Sequence, residues 1–308
     1  MSTLNINEHL LLPALLILLA STANATTLTV RCGARSGLTS IGAALKVLQS
    51  GESRGPSTVN VSGACHENVV IQGMDRLTLN ANGASITDAS GGTLYVMDVE
   101  KSSTVDVNGF IFNGGKGVFC GTNSACTFAA NTFQGSIGDG VSIFYSFGNF
   151  TSGNVIQNNA GRGLVVHAGA VVRTFDLKIQ HNDGGGATAI AGGNLTFFTS
   201  SSIHNGADGI QVLAHSTARM DSGFTIQDND GHGIRVESAS EASLGEGSIS
   251  NSGGAGVEIG DLSFVWFRGQ VTMTGNHGGT DVECLPQFSA TRGVLASIGT
   301  GTTNCVEP

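Results

Sequence analysis

One spacing constrains this chain more than any other property. Gly140, Gly163, Gly186, Gly209, Gly233, Gly256 and Gly279 follow one another at intervals of 23, 23, 23, 24, 23 and 23 residues. A period of this length marks one supersecondary unit stacked on copies of itself. The text around each glycine identifies the unit: IQNNAGRGLVV from Ile156, IQHNDGGGATA from Ile179, IHNGADGIQV from Ile203, IQDNDGHGIRV from Ile226 and ISNSGGAGVEI from Ile249. Each copy has an apolar residue, a polar Asn-rich corner, the glycine, and then apolar residues at alternate positions. Alternation of period two is what a strand with one buried face requires. Gly and Asn at this density disfavour a helix. The unit is therefore a set of short strands and tight turns, and the 46 glycines fit such turns rather than disorder, because aliphatic residues stay plentiful.

These residues resemble the right-handed parallel β-helix, the coil of pectate lyases and polygalacturonases. The resemblance covers about residues 57–285. It implies an all-β solenoid of rungs of about 23 residues with a short N-terminal capping helix, and it leaves the chemistry to be argued from a site. The expected organisation is an export leader over 1–25, an N-terminal cap over 26–56, the β-helix over 57–285 and a C-terminal cap over 286–308. Within the leader, Leu10 to Ala20 is apolar but too short to span a bilayer, and Ala23-Asn24-Ala25 is a small-x-small cleavage motif, which puts the mature start at Thr26. The expected location is secreted or periplasmic, with no membrane span.

The six cysteines agree with an oxidising compartment. Proximity in sequence pairs Cys32 with Cys65, Cys120 with Cys126, and Cys284 with Cys305. The formal net charge of −9 repels polyanions, so nucleic acid is not an expected partner. An extracellular polysaccharide or cell-envelope glycan is, with the oligomeric state left open.

Ile41, Ala44, Leu45 and Leu48 fall at i, i+3, i+4 and i+7 behind the N-cap candidates Thr39 and Ser40, which predicts a short amphipathic helix. It would close the open apolar end of the stack. The stretch from Thr58 to Ile86, with Glu67-Asn68-Val69 after a Gly-led turn, resembles the first coil of pectin methylesterases. The paired aspartates and arginine of that family's site do not follow, so the likeness implies fold and not esterase activity.

Counted from the repeat glycine, the positions one and three after it carry Val141 and Ile143, Leu164 and Val166, Ile210 and Val212, Ile234 and Val236, Val257 and Ile259, an inward aliphatic ladder. The position four before it carries Asn159, Asn182, Asn205 and Asn229, whose amides can bond from rung to rung. Ile156, Ile179, Ile203, Ile226 and Ile249 form a further expected inward column. Trp266, Phe264 and Phe267 are expected to pack the last rungs.

One corner gathers titratable groups. His181, His204 and Asp228 share a column, and Asp183, Asp230, Asp208 and His232 lie beside it. Rungs of a parallel coil are about 4.8 Å apart, so residues one period apart become neighbours. Asn182-Asp183-Gly184, Asp208-Gly209 and Gly231-His232-Gly233-Ile234 are similar to polygalacturonase motifs, and the resemblance implies Asp183 and Asp208 as acid and base with His232 orienting one of them. The aspartate pair of that family is single here at Asp208, and its Arg-Ile-Lys element is missing. His181, His204, Asp228 and Asp230 are the candidate ligand-binding groups, and Phe144 and Tyr145 the candidate stacking platform for a sugar. Arg235, the best outward base, is expected to pair with Glu258 one rung later. No metal site is expected. No cofactor is expected either, Ca²⁺ entering only for a lyase-like activity.

Together these readings favour a secreted β-helix that presents a long surface to glycans in a binding or structural role. The alternative is a polysaccharide-active enzyme, a polygalacturonase-like hydrolase or a lyase or epimerase on uronic-acid polymers.

Overall fold

The computed structural model describes residues 25–50, 56–277, 280–285, 290–293 and 301–305. The apolar leader run and the repeat glycine Gly279 lie outside the described residues, as does most of the expected C-terminal cap. Over the rest, each rung adds strands in parallel to the rung before it. One strand per rung joins a ten-stranded sheet that runs from Val69–Gln72 to Val282–Cys284, called the front sheet below. The other strands join a twenty-stranded sheet that wraps the remaining sides. A typical rung contains Leu164–His167 in the front sheet, then Val171–Phe175 and Lys178–Gln180.

The glycine column is explained by close approach. A Cβ at Gly163 would lie 2.3 Å from Ile179 Cγ2 and 2.8 Å from the Gly186 carbonyl oxygen, so only a residue without a side chain lets adjacent turns stack. Beside it, Asn159, Asn182, Asn205 and Asn229 are buried. Each amide donates Nδ2–H to the next amide oxygen, at 2.8, 3.0 and 2.9 Å, and that same oxygen accepts the preceding backbone N–H. The expected ladder is thus present and satisfies turn backbone that no water reaches.

The inward columns hold Val141, Ile143, Leu164, Val166, Ile210, Val212, Ile234, Val236, Val257 and Ile259, all fully buried. Nearer the N-terminus the core is aromatic, with Phe112 over Phe133 at 5.2 Å and Phe128 over Phe150 at 4.9 Å between ring centroids. Each such ring contributes about 1.5–3 kcal/mol by burial.

Two expectations fail by register. Ile203 pairs with Gln227 and is half-buried, while Ser202 pairs with Ile226 and occupies the inward column with no exposure. One extra residue in the turn between Met220 and Phe224 lengthens that rung, and Ser202 Oγ fits the narrowed space by donating to the Gly209 carbonyl at 2.8 Å. Trp266 does not pack the interior. In the strand Phe264–Phe267 it is Val265 and Phe267 that are buried, and Trp266 points outward, 49% exposed.

At the N-terminal end the helix Ile41–Ser50 buries Ile41, Ala44, Leu45 and Leu48, the four residues its spacing singles out. Ser40 Oγ accepts from the Ala43 N–H. The first turn holds no acid of its own. Instead Glu67 bridges the free backbone N–H groups of Ile41 and Gly42, at 2.7 and 2.9 Å, where a carboxylate also meets the positive end of the helix dipole. Disulfides join Cys32 to Cys65, Cys120 to Cys126 and Cys284 to Cys305, as sequence proximity suggests.

Candidate functional site

The titratable corner is divided by the fold into an exposed stack and a buried network. The exposed stack is a column of left-handed turn residues. Asn158, His181, His204, Asp228 and Asn251 have φ of 55°, 55°, 53°, 53° and 53°, a conformation that short polar side chains tolerate better than most. The column is therefore a turn requirement first. It places the imidazoles of His181 and His204 parallel at 5.4 Å, His204 Nε2 3.3 Å from Asp228 Oδ2, and Asn251 Nδ2 donating to Asp228 Oδ1 at 3.0 Å. Asp183 and Asp230 stand exposed in the next column, separated by Gly206. Among the described residues, no hydrogen bond or ion pair ties Asp183 to Asp208 or His232.

Asp208 and His232 belong to the buried network, because the position just before each repeat glycine leads onto the outward side of the front sheet. Asp208 accepts from the His232 backbone N–H at 2.7 Å and from Gln211 Nε2 at 2.8 Å. His232 Nδ1 accepts from the Ala255 N–H at 3.1 Å, which leaves the proton on Nε2, 3.2 Å from Glu258 Oε2. Arg235 donates to Glu237 at 2.8 Å, and its Nε faces Glu258 Oε1 at 3.1 Å as an ion pair without hydrogen-bond alignment. The expected Arg235 and Glu258 pairing is thus present. Burial pushes the Glu258 carboxyl above its ordinary range, with the charges of His232 and Arg235 working against it.

At the other end of the same face lies an aromatic staircase. Tyr95 stacks on Phe119 at 4.9 Å, Phe119 meets Phe144 at 6.2 Å, and Phe144 stacks on the His167 ring at 5.2 Å. Tyr145 closes edge-on against Phe144 at 4.6 Å and is 59% exposed. The rings border an open cavity of about 280 Å³. Its polar edge is Arg162, held by Asp139 through two bonds of 3.1 Å. Phe150, six residues after Phe144, is in the core.

Tyr95, Phe119, Asp98 and Glu258 carry chemistry that the repeat does not single out. Asp98 precedes Phe119 in the same outward column. Burial and then the Glu100 charge raise its carboxyl above the ordinary range, and its buried Oδ1 has no partner among the described residues. Burial, then Asp98 and Asp139, push the Tyr95 phenol up. The one grouping within metal-ligand reach among the described residues is Cys32, Cys65 and Glu67. Its two sulfurs are joined in a disulfide and its carboxylate caps the helix.

The sequence of residues 57–198 matches the family model described as right handed beta helix region. The coil is accordingly that of a right-handed parallel β-helix protein. Two A-modules of mannuronan C-5 epimerases from Azotobacter vinelandii share the fold. The AlgE4 module is 12% identical with a TM-score of 0.55, and the AlgE6 module 14% identical with a TM-score of 0.53. In each case the alignment covers 87% of this chain and 91% of the other. No curated protein sequence matches the chain. Among the described residues no helix is long and apolar enough to cross a membrane.

Proposed function

We propose that the protein is exported and binds an extended extracellular or cell-envelope glycan along the outward face of its front sheet. The carrying observation is the staircase of Tyr95, Phe119, Phe144 and His167. Half-buried rings stacked on one another along a rigid sheet form an apolar wall to an open cavity, against which successive sugar rings can lie. Arg162 with Asp139, and the Asp98 carboxyl, whose Oδ1 has no partner among the described residues, offer donors and acceptors for hydroxyl groups. The disulfides and the leader read from the sequence support export. A glycan array with the mature chain tests this reading, followed by titration of the best ligand against Phe144→Ala and Phe119→Ala. Each variant should weaken binding about tenfold, the equivalent of ~1.4 kcal/mol. Binding that ignores both substitutions would place the glycan elsewhere.

A second reading, a polysaccharide-active enzyme, rests on Asp208, His232 and Glu258. A buried carboxyl group that burial pushes above its ordinary range, 3.2 Å from an imidazole and on the same face as a second carboxylate, is an acid and base arrangement. Asp183 is the further carboxylate on that edge, with His181, His204, Asp228 and Asp230 along it. Reducing-sugar, lyase and epimerase assays on pectic, alginate and neutral glycans decide the matter. Turnover abolished by Asp208→Asn supports the enzyme, and no turnover by the natural chain removes it.

A further inference from the structure

The outward residues of the twenty-stranded sheet include several large apolar side chains, among them Phe147, Phe175 and, near its C-terminal end, Trp266. The strands Asn194–Phe198, Thr217–Met220, Glu241–Leu244 and Phe264–Phe267 lie side by side. Their register aligns Thr196, Arg219, Ser243 and Trp266 in one outward column, and Asn194, Thr217, Glu241 and Phe264 in the next. All of these except Phe264, together with Arg268, border an open groove of about 470 Å³. Trp266 is the only tryptophan of the chain, and it stands 49% exposed there rather than in the core its strand also borders.

Two arginines are held in place beside it. Arg219 Nε and Arg268 Nη2 both donate to Asp221 Oδ1, each at 2.9 Å. Arg268 Nε also donates to Ser243 Oγ. Burial alone would raise the Asp221 carboxyl, but bonds from Arg268 and Arg219 outweigh it and hold Asp221 ionised. One carboxylate thus orients two guanidinium groups. Among the described residues both terminal nitrogens of Arg219 and Nη1 of Arg268 have no hydrogen-bond partner, and neither has the Glu241 carboxylate.

We infer that this groove is a saccharide site selective for acidic sugars, separate from the front sheet and independent of the reading proposed for it. An indole face takes the C–H face of a pyranose ring, as aromatic platforms do for apolar ligand surfaces. The planar fork of the two terminal nitrogens of Arg219, with Arg268 Nη1 as a further donor, matches a carboxylate in two-point geometry, which an ammonium would not. Glu241 accepts hydrogen bonds from ring hydroxyls. A uronate residue presents all three features at once, whereas a neutral sugar has no carboxylate to offer the unpartnered guanidinium nitrogens. The prior fixing of both arginines by Asp221 lowers the ordering cost of binding.

The single tryptophan makes the groove directly observable. Tetramers of galacturonate and of mannuronate are titrated into the full mature chain while its fluorescence is recorded, with fully methyl-esterified tetragalacturonate as the neutral control. At least one acidic tetramer should give a saturable change that weakens with added salt. The ester should bind at least tenfold more weakly than its parent acid if galacturonate is the responder. Arg219→Ala should weaken binding at least tenfold, and Arg219→Lys, which keeps the charge but not the fork, should recover only part of it. Thermal melting by circular dichroism establishes that both variants are folded. No change with either acidic tetramer at millimolar concentration, equal binding of ester and acid, or unaltered binding by Arg219→Ala would each overturn the assignment. Phe144→Ala should leave the tryptophan response intact, so failure of this site and failure of the front-sheet reading are told apart.

Discussion

The buried asparagine ladder makes Asn182→Ala a demanding test of what holds the coil. In the folded chain Asn182 Nδ2 donates to the Asn205 amide oxygen and to the carbonyls of Ile156 and Gln180. Its Oδ1 accepts both Asn159 Nδ2 and the Asn159 backbone N–H. Truncation leaves that backbone N–H without an acceptor in a fully buried place, a loss of about 1–3 kcal/mol. The broken bonds to the amides above and below add roughly 1 kcal/mol each, for a total of about 3–5 kcal/mol. The rung is internal, so both of its neighbours lose contacts. Chemical denaturation should show a lower midpoint with an unchanged slope. The control is Gln180→Ala, on the half-exposed outer ladder where Gln180 donates to Gln157 at 3.0 Å, and it should cost less than about 1 kcal/mol. If Asn182→Ala costs no more than Gln180→Ala, the amide ladder does not hold the turns and the reasoning fails.

Ile226→Asp should prevent folding or lower the melting temperature steeply, because it strands a charge in a fully buried column. Gln227→Asp and Ile203→Asp, which share an outward column, should both be mild, and a severe Ile203→Asp would refute the register. Intact mass before and after reduction should show three disulfides, with peptide mapping giving the pairs Cys32–Cys65, Cys120–Cys126 and Cys284–Cys305. Free thiols in the folded chain would contradict the fold's closure. The acid limb of stability should depend on Asp88. Burial opposes its ionisation, but bonds from Ser90, Asn68 and the Gly92 N–H win and hold it well below the usual range. Its contribution is present above the unfolded value of about 4 and lost as pH falls below it, and Asp88→Asn should flatten that limb. Glu258 has the opposite sign. Its raised folded value means stability declines as pH rises from 4.5 toward that value, a slope that Glu258→Gln should remove.

The fold was legible because its rule is steric. A glycine wherever adjacent turns touch, an asparagine wherever turn backbone is buried, and alternation between them leave little choice of architecture. Ile203 was misplaced because the apolar text repeats across the lengthened rung, while the structural ladders shift by one. The spacing of 24 between Asn205 and Asn229, and again between Gly209 and Gly233, carried the correct register. Trp266 sits in Phe-Val-Trp-Phe, four apolar residues without alternation, so periodicity could not say which pair faces inward. The staircase begins before the regular repeat, at Tyr95 and Phe119, and Tyr95 lies outside the strands. Asp98 and Glu258 owe their raised carboxyls to what surrounds them after folding, which one-dimensional spacing does not encode.

Glu67 links the terminal helix to the coil in a way that bears on the order of assembly. Because the acid that closes the first turn of Ile41–Ser50 stands 26 residues beyond Ile41, a chain that emerges N-terminus first during synthesis cannot seat the plug when the helix itself emerges. The seat arrives with residues 65–67, which bring Cys65 to Cys32 and the carboxylate to the helix within three positions of each other. Sealing and latching therefore become one event. Until it happens, the first rung offers an open edge to any other strand in the same compartment. A Glu67→Gln chain should consequently reveal itself less by a lower melting temperature than by end-to-end oligomers formed during folding.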